Sequence, residues 1–394
     1  MKRTICDLEL SGKRLLIRAD FNVPIDDQGH ITDDKRIRES VPTIQSALEK
    51  GSSRIILMSH LGRPKGKDPK MSLRPVAKQL SQLLKRSVVQ CSDCVGSVVE
   101  REISQNSNDN IFLLENLRFY PEEEKNDPAF AKGLARLADL YVNDAFGTSH
   151  RTHASVHAIT RFLPSAVGLL LEKEMKFLGG VLKKPKRPFL AILGGAKVSD
   201  KIGVIGNLLH KVDKLMIGGA MAYTFLKVKG IPIGSSRVEA DRLEVAEDIL
   251  KKAAIKKIEV LLPSDHVIVE RIGEDAPFRI SEHSIPDGWM GVDIGPKSVK
   301  SFTQTIVDSK TILWNGPMGI FEMKNFRNGS AGVAKSLADN HQATTIIGGG
   351  DTAACVKVFG LLDRMTHIST GGGASLEYLE GKKLPGIEAI ANRN

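Results

Sequence analysis

Short apolar runs alternate along the chain with longer segments of helical spacing. Residues 14–18 (RLLIR), 54–58 (RIILM), 87–90, 111–114 and 140–142 read as strands, each too short for a helix. Between them, residues 36–50, 72–84, 95–103 and 128–137 read as helices, the first stopped by Gly51. The alternation resumes with strands at 188–193, 214–217, 259–262, 311–314, 344–347 and 367–369. Helical segments follow from residue 202, at 220–227 and at 239–254. Strand and helix in strict alternation predict an α/β fold with two doubly wound parallel sheets. Residues 165–182 carry apolar positions at helical spacing and lie between Pro164 and the proline pair Pro185 and Pro188. They read as a rigid helix dividing the halves. Gly179-Gly180 within it is either a flex point or a weakened last turn. The expected organisation is a first domain over 1–164, a connecting helix over 165–184 and a second domain over 185–383.

In doubly wound sheets ligands bind beyond the carboxyl ends of the strands. Four strand ends in the first half deliver Asp20 with Asn22, His60 with Arg63, Arg118, and His150 with Arg151, while Arg36 opens the helix after the first loop. Guanidinium forks match phosphate and carboxylate bidentately. Histidines can donate to the same anion near neutral pH. Asp20 and Asn22 suit hydroxyl groups instead. The first half therefore reads as a site for a small, multiply anionic, hydroxylated substrate.

Strands of the second half end in glycine-rich turns: LGGAKVSDK at 193–201, Gly218-Gly219, Asn315-Gly316, Gly348-Gly349-Gly350-Asp351-Thr352 and Gly371-Gly372-Gly373. Glycines let backbone N–H groups approach a ligand, and helix N-termini favour negative charge. Lys197 and Lys201 are four apart, so a helical turn would aim both ammonium groups at one volume. This pattern suits a polyphosphate. Asp351 suits either a Mg²⁺ contact or a helix N-cap, and Glu322 either a ribose hydroxyl or plain solvent. Neither G-x-x-x-x-G-K-[ST] nor G-x-G-x-x-G occurs, which argues against a P-loop protein and a nicotinamide-dependent dehydrogenase.

Bulk properties narrow the classes further. The 394 residues are 41% hydrophobic and 26% charged, ordinary globular composition. No apolar run reaches membrane-spanning length, and MKRTICDLEL has no apolar core of the kind a signal peptide needs. Four cysteines are no disulfide framework and fit a reducing cytoplasm. Cys91 and Cys94 form a lone CxxC without a second ligand pair nearby. The net charge of +10 admits nucleic acid as a partner, but aromatics are only 5% and no nucleic-acid motif appears.

The blocks LLIRADFNVP, RIRESVPTI, MSHLGRP, LLENLRF, NDAFGTSHRTHAS, LGGAKVSDK, WNGPMGIFE, GGGDT and TGGGAS closely resemble those of the phosphoglycerate kinases, in the same order and over essentially the whole chain. The resemblance implies two Rossmann-like domains and a cytoplasmic, monomeric glycolytic kinase with no dedicated nucleic-acid or membrane site. It implies that the first domain, joined by the returning segment 384–394, holds 3-phosphoglycerate or 1,3-bisphosphoglycerate on Asp20, Asn22, Arg36, His60, Arg63, Arg118, His150 and Arg151. It places ADP or ATP, with Mg²⁺ at Asp351, on Lys197, Lys201, Gly219, Gly291, Asn315, Glu322, Gly349, Gly350, Asp351 and Thr352. Arg36, Lys197, Lys201, Gly371 and Gly372 become the expected catalytic set, acting on domain closure. One departure is Gly218-Gly219-Ala220 where the family has three glycines, so a methyl narrows that wall.

Overall fold

Strand β1 (Arg14–Arg18) buries Leu15, Leu16 and Ile17 in succession, because both faces of its sheet are covered. Leu15 and Ile17 join one apolar cluster, with Ile55, Leu57, Ile111 and Leu113. Leu16 joins the other, with Ile56, Met58, Phe112 and Leu114. These coordinates are a computed structural model that describes residues 1–106 and 108–393. The chain divides by contact into two units, Met1–Lys176 with Lys383–Asn394, and Phe177–Lys382. Asn394, at the end of the expected returning segment, lies outside the described residues.

In the first unit, β1 is joined by β2 (Arg54–Met58), β3 (Val89–Gln90), β4 (Ile111–Leu113), β5 (Leu140–Asn143) and β6 (Ser165–Val167). All pair in parallel, in the order β3-β4-β2-β1-β5-β6. The chain builds outward from β1 through β2, then returns to β5 on the other side. That reversal opens a crevice at the carboxyl ends of β1 and β5. The last segment lies against this unit: the Asn143 side-chain amide donates to Gly386 O at 3.0 Å, and Arg393 N–H to Met1 O at 2.7 Å.

The second unit repeats the plan around β7 (Phe189–Leu193). The strands β8 (Lys214–Ile217) and β9 (Glu259–Leu261) lie on one side of it. On the other side lie β13 (Thr311–Asn315), β14 (Thr344–Gly348) and β15 (His367–Ile368). All of these pair in parallel. Between β9 and β13 the chain forms a separate antiparallel sheet of β10 (Asp265–Val269), β11 (Phe278–Glu282) and β12 (Met290–Ile294). The sequence reading left this stretch unassigned. No residue of β11 is buried, so it lacks the apolar alternation that marks a half-buried strand.

The stretch read as one helix over 165–182 divides into two elements. Ser165, Ala166 and Val167 pair with Tyr141, Val142 and Asn143 as a sheet edge, and the helix runs from Leu169 to Lys183. Val167 fitted the helical period, but an open strand of the sheet took its backbone hydrogen bonds. Gly168 makes the change of direction where a Cβ would collide with Asp144. Gly179 is explained by packing, since a Cβ there would press on the Tyr378 hydroxyl. Smaller shifts have the same local origin: the second helix starts at Arg74 behind a 3₁₀ turn at Pro69–Met71, and a 3₁₀ turn at Ala240–Arg242 precedes the helix Leu243–Ile255.

Asp144 is fully buried and accepts from the N–H groups of Leu170 (2.9 Å) and Leu171 (3.2 Å), satisfying the start of that helix. Burial raises its carboxyl from 3.8 to about 7, against the lowering by the Thr43 hydroxyl and those N–H groups. A carboxyl raised on folding holds its proton better in the native state. Its contribution is present below the unfolded value and fades as pH rises through the folded one. Asp144→Asn keeps an acceptor for both N–H groups but cannot ionise. Urea midpoints measured across that interval should therefore decline less with rising pH in Asp144→Asn than in the wild type.

Candidate functional site

The carboxyl edge of the first sheet carries its chemistry on loops held to one another. Arg36 Nη1 donates to Asp20 Oδ2 at 2.7 Å, and Asp20 Oδ1 accepts from Asn22 N–H at 3.2 Å. Asp20 thus aims Arg36. Asn22 Oδ1 accepts from Gly62 N–H at 2.9 Å, and Gly62 O accepts from Arg118 Nη1 at 2.5 Å. These bonds link the loops after β1, β2 and β4. Arg118 Nε lies 3.3 Å from Glu124 Oε1. Arg63 is exposed, while His150 and Arg151 are half-buried. Arg118 loses proton affinity through burial first, then through the charges of Arg151, Arg18 and Arg63, with Glu124 opposing them. The structure therefore gathers the expected cationic residues into one field.

The two central histidines are held neutral. His60 is pushed well below its ordinary value by burial, then by Arg18, Arg118, Arg36 and His153. His153 falls to about 3 through burial, Arg18, Arg151, Arg118 and His150. Arg18 Nη2 lies 3.1 Å from His60 Nδ1. Arginine is only a donor, so Nδ1 must accept and the proton sits on Nε2. His60 serves as a neutral donor beside the guanidinium groups, which carry the charge.

Beneath this surface lies a layer the sequence reading missed. Arg18 is 1% exposed, and its Nη1 donates to Ala19 O while its Nε donates to Ser155 Oγ at 2.9 Å. Ser155 donates through Oγ (2.6 Å) and N–H (2.9 Å) to the two oxygens of Glu123, which is fully buried, and His153 Nδ1 lies 3.8 Å from Glu123 Oε1. Arg18 had a signal, a charge closing an apolar strand. Glu123 had none, since the run PEEEK looks solvated.

In the second unit the reversal falls between β7 and β13. Leu193 and Asn315, the last residues of those strands, are in register. Lys201 Nζ donates to Asn315 Oδ1 across this point. Burial lowers the Lys201 ammonium, opposed by Asp200 and Asp351, so Asp351 shares its field. The helical turn expected over Lys197 and Lys201 is absent. The helix starts at Ile202, Lys201 is its N-cap and Lys197 lies exposed on the preceding turn. The turn before it is tied elsewhere: Gly195 N–H donates to Pro317 O at 3.0 Å, and Gly195 O accepts from Met221 N–H at 3.1 Å.

Several glycine N–H groups expected to face a ligand are used to join loops. Gly194 donates to Asn315 O (3.0 Å), Gly195 to Pro317 O (3.0 Å) and Gly219 to Met318 O (3.1 Å). A Cβ on Gly194, Gly219 or Gly316 would collide with a facing backbone. These glycines permit close approach of loops. Gly316 N–H donates to Thr352 Oγ1 at 2.7 Å, tying β13 to the helix Gly350–Val358. That helix is capped by Gly349 with φ +86°, so Asp351 lies exposed in its first turn and is not the N-cap. Asn315 Nδ2 is buried without a partner among the described residues, beside Gly348 and Gly349.

The remaining expected residues lie on other elements. Gly371 and Gly372 follow β15; the Gly371 N–H already donates to Ser369 Oγ (3.2 Å), and Gly372 caps the helix Gly373–Leu379. Gly291 sits in β12, where a Cβ would strike the Tyr223 hydroxyl. Glu322 is exposed. Ala220 packs against the apolar cluster of Tyr223, Leu226 and Ile233, which gives its methyl a structural role. Asp293, also missed, is buried and accepts from Gly329 N–H (2.7 Å) and Ile294 N–H (2.9 Å).

Two doubly wound sheets, one edged with guanidinium groups and the other with a half-buried lysine among tight glycine turns, define a two-unit α/β protein with cationic sheet edges. The phosphoglycerate kinase family profile matches residues 5–382. The phosphoglycerate kinase of Dictyoglomus turgidum is 54% identical over 396 residues, covering 100% of both chains. The cytosolic phosphoglycerate kinase of Triticum aestivum is 53% identical over 391 residues, covering 98% of this chain and 97% of its own. The solved phosphoglycerate kinase of Coxiella burnetii superposes with a TM-score of 0.89 at 37% identity, over 99% of this chain and 98% of that one. That of Pyrococcus horikoshii gives 0.84 at 29% identity, over 98% of each. The chain belongs to the phosphoglycerate kinase family, and is a phosphotransferase with a carboxyl acceptor.

Glu123 supplies both acceptors for Ser155 and a buried carboxyl in the field of Arg18. Glu123→Ala should destabilise the protein by about 3 kcal/mol, the scale for leaving a buried charge uncompensated. Urea denaturation measures it, and a cost below about 1 kcal/mol would remove Glu123 from this supporting role.

Proposed function

We propose that the chain catalyses its family's glycolytic reaction with the two sheet edges as its two ligand sites. An acyl phosphate, 1,3-bisphosphoglycerate, gives its phosphoryl group to MgADP, yielding 3-phosphoglycerate and MgATP, and the reaction is reversible. The acid belongs on Asp20, Asn22, Arg36, His60, Arg63, Arg118, His150 and Arg151. The nucleotide belongs on Lys197, Lys201, Gly219, Gly291, Asn315, Glu322, Gly349, Gly350, Asp351 and Thr352. The observation that carries this assignment is the Lys201–Asn315 bond at the reversal of the second sheet, beside the Asp351 helix start. Among the described residues no three His, Cys, Asp or Glu side chains gather to hold a metal ion. Mg²⁺ enters as part of the nucleotide substrate and needs one or two carboxylates beside phosphate oxygens. Asp351, exposed in Lys201's field, is the carboxylate for it.

The attacking oxygen is an ionised carboxylate or phosphate in either direction, so no general base is required. The protein's tasks are alignment and neutralisation of charge on the transferring group. Arg36, Lys197 and Lys201 carry out the second task, with the N–H groups at Gly372 and Gly373. Neutral His60 adds a hydrogen bond without adding a proton that could be lost. Cytoplasmic location and a monomeric state complete the proposal; the cytosolic name of the Triticum aestivum relative agrees with the former.

The test is 3-phosphoglycerate-dependent consumption of MgATP, followed through a dehydrogenase that reduces the acyl phosphate. Arg36→Ala and Lys197→Ala should each lose kcat by about 10² or more while substrate affinity changes far less. An unchanged kcat in either variant removes that residue from the charge-neutralising set. Transfer between ligands held on separate units also calls for closure that excludes water. Small-angle scattering should show a smaller radius of gyration with both 3-phosphoglycerate and a nonhydrolysable MgATP analogue than with either alone, and a radius indifferent to ligands would rule the closure step out.

A further inference from the structure

The reaction uses the carboxyl edge of the first sheet. At its amino edge opens a groove of about 660 Å³ whose lining includes Arg14, Arg54, Arg101 and Arg136, with Glu100 the one acidic residue. Arg14 and Arg54 are the first residues of β1 and β2 and stand directly beside each other in register. Like charges at adjacent sheet positions repel. Asp139 compensates one of them, at 2.7 Å from Arg14 Nη2. Arg54 has no such counter-charge among the described residues: its guanidinium donates to the carbonyls of Ser53 (3.0 Å), Asn106 (2.8 Å) and Ile103 (3.5 Å). Those bonds fix its orientation and leave its charge in the groove. Arg101, exposed on the helix Ser97–Gln105, donates to Ser97 O at 3.3 Å, again a carbonyl. Arg136, also in the lining, is exposed. Ser53, Ser97 and Ser104 add hydroxyls, and no aromatic side chain lines the groove.

We propose that this groove is a second anion site, separate from the catalytic one, that takes a small polyphosphate group. Fixed guanidinium forks with adjacent hydroxyls match phosphate oxygens. Without a stacking platform the site reads the phosphates and not a base. A larger groove on the loops after β2 and β4, about 770 Å³ and lined by Lys67, Arg74 and Lys78, also contains Asp68 and Glu115, so its field is mixed and it suits an anion less. The arginine groove also gives part of the +10 net charge a location.

Calorimetric titration with inorganic tripolyphosphate tests it. 3-Phosphoglycerate and ADP are kept at saturation and Mg²⁺ is omitted, so that both catalytic ligand sites are filled. One further equivalent should bind. The double variant Arg101→Ala/Arg136→Ala, altered only at exposed positions, should bind it about tenfold more weakly. Lys251→Ala/Lys252→Ala, with the same change in net charge on the other unit, should bind it as the wild type does. Turnover without tripolyphosphate should be unchanged in both variants. Absence of binding once the catalytic sites are filled overturns the proposal. So does equal weakening in the two variants, which would mean attraction to net charge alone.

Discussion

A parallel sheet covered on both faces has few places for polar side chains. In each unit the strands bury consecutive apolar residues, and polar chemistry is displaced to the strand ends. The reversal of strand order then decides which ends stand apart enough to admit a ligand. In the first unit that position holds Asp20, Asn22 and the loop of His150; in the second it holds Lys201 and Asn315.

Charge at the first of these edges is organised from below. Arg18 is buried where a guanidinium must find acceptors, and it takes Ala19 O, Ser155 Oγ and His60 Nδ1. Ser155 passes the connection to Glu123. Burial and the crowd of arginines remove the charge from His60 and His153, so the cationic field rests on groups that stay charged at any working pH. Asp20 then fixes Arg36 directly. A surface of arginines without this layer would carry the same charge with far less defined directions.

The second edge is organised by backbone. Loops after β7, β8 and β13 exchange hydrogen bonds at distances only glycine allows, with Gly194, Gly219 and Gly316 at the junctions. The lysine pair shows the same lesson. Spacing of four suggests a shared helical face, but the helix starts only at Ile202, leaving Lys201 half-buried at its cap and Lys197 exposed. Asp351 is likewise a first-turn residue, because Gly349 accepts the positive φ that the cap requires.

The α/β class, most strands and the polar residues at their ends were legible because period and spacing are local properties that survive without neighbours. The ordered motif blocks carried the family for a similar reason, since they are strand-end loops read whole. What needed the tertiary structure was anything fixed by a partner distant in sequence. The edge strand Ser165–Val167 exists because Tyr141–Asn143 offers it hydrogen bonds. Glu123 is buried because Ser155 and Arg18 meet it there. The exposed strand Phe278–Glu282 is held by pairing with β10 and not by its own pattern. The sequence alone determined which residues could form strands, helices and charged loop ends; folding decided which of those charges stay, because burial and long-range hydrogen bonds are set only when distant segments come together.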